Sequence, residues 1–176
     1  MPELTLQRLE PGRYALGDVG TLRSRRRFGA ELEAGGTRWR VRRGLGQAIN
    51  ATDSVTGTRE ARYVPSGFLR LRGIYRGTIH LGERKLDWRA EHHMSDHFTL
   101  REAGDVVARF DAGSEPLPVT VALYGLHHLE PLPLLFCCHI VKRVVDMSME
   151  VGRPGAPPAP GAPLAPGAPP APPTQP

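Results

Sequence analysis

Between residues 12 and 125, apolar and polar side chains alternate in short runs separated by glycine-rich turns. The run TRWRVRR at 37–43 places Trp39 and Val41 on one side and Arg38, Arg40 and Arg42 on the other. The run FLRLR at 68–72 does the same with Leu69 and Leu71 against Arg70 and Arg72. A period of two is the signature of a strand with one buried face. Residues 77–81 and 85–90 flank Gly82-Glu83, and 97–101 and 106–111 flank Ala103-Gly104-Asp105, so each set reads as a hairpin. Residues 117–124, entered through Pro116 and Pro118, read as an edge strand or a strand start. Gly35-Gly36 and Thr56-Gly57 mark two further turns. Strands recurring at this spacing predict an antiparallel sandwich or barrel.

The period changes after Tyr124. Residues 129–145 contain no glycine and no proline after Pro133, and they are apolar around most of a helical circumference until Lys142. Pro131 and Pro133 suit a first helical turn, where the missing amide protons cost nothing. A helix apolar on all sides must be buried on all sides. In a chain otherwise made of strands, the inside of a barrel or a groove between two sheets provides that. The pattern therefore predicts a mainly β fold, a closed or nearly closed antiparallel barrel around an apolar C-terminal helix at about 130–145. Residues 1–12 read as a lead-in and 13–150 as the barrel domain.

Residues 151–176 differ in kind. Three hexamers, Pro-Gly-Ala-Pro-Pro-Ala twice and Pro-Gly-Ala-Pro-Leu-Ala between them, fill 154–171, with no aromatic residue and no charge. Such a segment cannot bury enough apolar surface to offset the entropy of ordering, so a disordered tail is expected. Deleting residues 152–176 should therefore leave the melting temperature unchanged; a fall of several degrees would mean that the tail is docked.

Composition narrows the function more by exclusion than by assignment. The 176 residues carry a formal net charge of +5, and removing Arg153 of the tail leaves +4 on the body. This mild excess favours anionic surfaces but falls short of a dedicated nucleic-acid binder. The only lysines are Lys85 and Lys142. The arginine, glycine, alanine and proline bias fits a GC-rich, bacterial genome. Adjacent Cys137 and Cys138 lie in the apolar run and read as core residues, not as a disulfide. Residues 1–10 lack the apolar stretch of a secretory signal, and the run 132–141 is too short to span a bilayer. The expected location is cytoplasmic, with peripheral contact at a membrane open.

Candidate chemistry is sparse. The segment EHHMSDHF brings His92, His93 and His97 close in sequence, and His93 and His97 would share a face if helical. The same residues lie between two strand-like runs, which favours a polar turn over a metal site. Cys137 and Cys138 neighbour His139, but sequence neighbours on a helix point apart, which disfavours nucleophilic catalysis. No nucleophile elbow, phosphate loop or dinucleotide fingerprint is present, and no cofactor is implied. The remaining feature is arginine: Arg25, Arg26 and Arg27 in one cluster, Arg38, Arg40 and Arg42 on one strand, Arg70 and Arg72 on another. Arrayed guanidinium groups can hold phosphates of lipid or nucleic acid, although arginines in such a proteome also simply solvate an outer face. Nucleic acid is the weaker of the two, because no exposed aromatics interleave with the arginines.

Several segments together carry a resemblance. They are Trp39 with its strand, the turn ATDSVTG at 51–57, Leu86-Asp87-Trp88, the hairpin FTLREAGDVVARF at 98–110, and the apolar segment 131–145. In this order they resemble the tubby C-terminal-like superfamily, in particular its LURP-one-related and phospholipid-scramblase-like branches. The resemblance implies a closed barrel around a hydrophobic helix. In the tubby branch paired basic residues bind phosphoinositide headgroups, and no such pair maps onto positions here. The scramblase-like branch carries an acidic calcium segment near its last helix, where this chain has only Asp146 and Glu150. The reading is thus a non-enzymatic barrel contacting anionic phospholipid through its arginines. The alternatives are a metal or catalytic protein using His92, His93 and His97, and a nucleic-acid binder. The oligomeric state stays open.

Overall fold

A computed structural model describes residues 3–25, 29–66, 75–91, 96–112, 119–124 and 129–151. The period-two pattern translates directly into strands. In 37–43, Trp39 and Val41 are buried and Arg38, Arg40 and Arg42 are exposed. In 84–90, Leu86 and Trp88 are buried on either side of exposed Asp87. Twelve strands result: β1 (Glu3–Glu10), β2 (Arg13–Leu16), β3 (Gly20–Ser24), β4 (Ala30–Ala34), β5 (Thr37–Arg43), β6 (Ile49–Asp53), β7 (Arg59–Pro65), β8 (Arg76–Leu81), β9 (Arg84–Ala90), β10 (His97–Glu102), β11 (Asp105–Ala112) and β12 (Val119–Leu123). One α-helix among the described residues, α1 (Pro131–Val151), follows.

Each strand pairs antiparallel with the next, and β1 pairs with β12, Glu3 opposite Ala122 through Leu6 opposite Val119, to close a barrel. Closure removes every sheet edge. The barrel therefore begins at Glu3 and not at residue 13: the expected lead-in is its closing strand. The expected strand at 68–72 and the expected tail at 152–176 lie outside the described residues.

Eight strands make a barrel that side chains alone can fill, and diameter grows with strand number. Twelve leave room for a helix, whose diameter with side chains is about 10–12 Å. Every residue from Leu134 to Lys142 is buried, as a threaded helix requires. The helix follows β12 and enters at the end with the short connections 17–19, 35–36, 54–58, 82–83 and 103–104, where Leu135 lies beside Gly20. It leaves at the opposite end, where the Lys142 ammonium sits 5.5 Å from the centre of the Tyr14 ring and donates to Asp146 Oδ2 at 2.6 Å. A lysine can line an apolar interior in this way while its head reaches the rim.

Around the helix the wall contributes Trp88, stacked on Phe98 at 5.1 Å and edge-on to Phe110 at 5.4 Å. Gly77 is required by close approach: a Cβ there would stand 2.5 Å from both the Tyr63 ring and the Val64 carbonyl oxygen. Cys137 and Cys138 are buried free thiols in this core. Burial pushes both thiols up, the reverse of what an attacking thiolate needs.

Candidate anion-binding site

The outward residues of β3, β4 and β5 alternate in charge across the strands. Register places Glu31 between Arg23 and Arg40, and Glu33 opposite Arg38. Opposite charges directly across from each other are the favourable arrangement on a sheet face. Arg25, just beyond β3, donates from Nη2 to Glu31 Oε1 at 2.7 Å, and Arg38 donates to Glu33 Oε1 at 3.3 Å. The hydrogen bond from Arg25 holds the Glu31 carboxyl below the ordinary carboxylate range, and the charges of Arg25, Arg23 and Arg40 act in the same direction. These pairs are exposed and add little to stability. Their effect is to hold the side chains in place.

Toward the end where the helix leaves, the described residues of β3 to β5 and of the connections beyond them offer no acidic side chain after Glu31. Arg25, Arg40, Arg42 and Arg43, with Gly29, Ala30, Glu31 and Val41, line a shallow groove of ≈ 590 Å³. Four guanidinium groups face one carboxylate there, a formal excess of three positive charges. A second groove of ≈ 380 Å³ adjoins it, sharing Arg40 and Glu31 and adding Arg13, Arg23 and Arg38 with Glu33. Planar guanidinium forks at this density suit the oxygens of a phosphate group.

Of the arginines singled out in the sequence, the fold thus brings Arg25, Arg40 and Arg42 to one groove. It sets Arg38 beside them, tied to Glu33. Arg26, Arg27, Arg70 and Arg72 lie outside the described residues. Arg43 joins the groove although strict alternation would turn it inward. It ends β5, where the wall gives way to solvent, and the doubled Arg42-Arg43 is the local sign of that. Arg13 and Arg23 carry no such sign, because β2 and β3 are too short to show a clear period.

The histidine segment resolves differently. His97 opens β10 and its Nδ1 contacts Asp111 Oδ1 on β11 at 2.5 Å, so the helical spacing with His93 does not apply. The hydrogen bond to Asp111 raises the His97 pKa. His92 and His93 lie outside the described residues, among which no group of three potential metal ligands occurs.

Compared with known proteins, the chain matches no family model, no curated protein and no solved structure. What fold and site define is a class: a closed twelve-stranded barrel filled by its own C-terminal helix, with an arginine groove on its outer wall.

Proposed function

We propose that this protein is a non-enzymatic barrel module that docks peripherally on anionic phospholipid, as a member of the tubby C-terminal-like superfamily. The convergence of Arg25, Arg40, Arg42 and Arg43 on one groove carries the reading. Two features support it. The apolar helix is spent on filling the barrel, and among the described residues no helix is long and apolar enough to cross a membrane, so contact with lipid falls to the outer wall. A helix inside a closed barrel is also the arrangement that the resemblance implies. Each arginine near an anionic leaflet contributes about 1 kcal/mol, and the attraction decays over a Debye length of about 8 Å at physiological salt.

The test is sedimentation with phosphatidylcholine vesicles, with and without phosphatidylserine. The protein should bind only the anionic vesicles, and binding should fall steeply with salt. Changing Arg40, Arg42 and Arg43 together to alanine removes three exposed charges and should weaken binding on the order of 100-fold at low ionic strength. Equal retention on neutral and anionic vesicles would sink the reading.

A further inference from the structure

Resting on that reading, we infer that the barrel docks end-on, with the end from which the helix leaves facing the bilayer and Leu45 inserted between headgroups. The connection between β5 and β6 is a tight turn closed by hydrogen bonds from the Gly44 amide to the Ala48 carbonyl at 2.7 Å and from the Ala48 amide to the Leu45 carbonyl at 3.3 Å. Gly46 and Gln47 both have left-handed backbones, with φ of 63° and 67°. Such a conformation is costly for glutamine, and the turn that requires it displays Leu45 at 94% exposure. The flanking residues are Arg42 and Arg43, and Arg25 lines the same groove. A second exposed leucine, Leu9, lies toward the same end. A bulge between Arg8 and Glu10 leaves it outside the wall. Apolar side chains ringed by arginine are the composition of a membrane-interfacial contact.

The two ends differ in charge in the way such docking needs. At the helix-exit end, the sector from β1 to β6 carries Arg13, Arg25, Arg42 and Arg43 against Glu10, paired with Arg13 at 3.6 Å, and Glu31, paired with Arg25 at 2.7 Å, while Glu91, Asp96 and Asp111 lie on the far side of the same end. The helix-entry end carries Asp18, Asp53, Glu83, Asp105 and Glu130 with Arg59 and Arg101, while its Arg38 is paired with Glu33 and its Arg84 is held by both oxygens of Glu102. An anionic bilayer is attracted to the arginine sector of the first end and meets a more acidic surface at the second. Val55, 92% exposed at the tip of the β6–β7 turn, belongs to the second end and serves as an internal control.

Full-length Leu45→Trp and Val55→Trp variants are mixed with phosphatidylserine-containing vesicles, and the emission of the wild type, whose Trp39 and Trp88 are buried, is subtracted. Emission from Leu45→Trp should move to shorter wavelength and that from Val55→Trp should not. Leu45→Asp, at a fully exposed turn and so harmless to folding, should weaken vesicle binding by about tenfold. If the wild type binds the vesicles but the indole of Leu45→Trp stays in water, or if the emission of both variants shifts, the end-on orientation is overturned while lipid binding stands. If the wild type does not bind them, both fall.

Discussion

Leu135→Asp and Phe136→Asp are each expected to abolish folding. Both side chains are completely buried between the helix and the barrel wall. Deleting a buried phenylalanine side chain costs about 3–5 kcal/mol, and a carboxyl group without partners in an apolar interior costs several more. A domain of this size has about 5–15 kcal/mol in all. Far-ultraviolet circular dichroism and the yield of folded protein report the outcome. Leu45→Asp, the same chemistry on an exposed turn, is the control and should fold normally. A Phe136→Asp protein with a native β spectrum would show that the helix does not pack inside.

The second large effect is a loss of stability in acid, traced to His139. The ring is 1% exposed and neither nitrogen has a hydrogen-bond partner among the described residues. Burial, reinforced by the charges of Arg143 and Lys142, lowers its pKa from 6.5 to about 3. The folded state refuses a proton that the unfolded state accepts. Above the unfolded value of 6.5 the residue is neutral in both states and adds no pH dependence. Below it, stability should fall by about 1.4 kcal/mol per pH unit until the folded value is reached. His97 has the opposite sign: its raised pKa stabilises the fold at low pH, and that contribution is lost as pH rises. Urea midpoints measured from neutral pH down to about 5, before most carboxylates titrate, separate the two. His139→Leu should flatten the slope below pH 6.5, whereas Asp111→Asn should lower stability there by a constant amount and leave that slope unchanged, its own pH dependence lying above 6.5. Equal slopes for wild type and His139→Leu would remove His139 as the cause.

The parts of the fold legible in the sequence are those where local pattern and tertiary role agree. The bounds of β5, the β8–β9 and β10–β11 hairpins and the buried helix follow from period and turn chemistry alone. Other strands are hidden for physical reasons. Strand β4, AELEA, consists of good helix formers and is a strand because β3 and β5 flank it. In β1 the bulge breaks the alternation after Leu6, and its partner β12 lies at the far end of the strand order in sequence, so nothing local marks it as the closing strand. The site divides in the same way. That Arg38, Arg40 and Arg42 share a face is a matter of period. That Arg25 and Arg43 meet Arg40 and Arg42 depends on the β3–β4–β5 register, and the neutralisation of Arg38 by Glu33 does too.

The claim on which the rest stands is that the apolar helix fills the barrel and is not available to lipid. Reactivity of Cys137 and Cys138 toward a thiol reagent, in the native protein without detergent, measures it directly. Both thiols are completely buried and burial disfavours their thiolates, so neither should react until denaturant carries the protein through its unfolding transition. Rapid labelling of both while the β spectrum remains intact would contradict it.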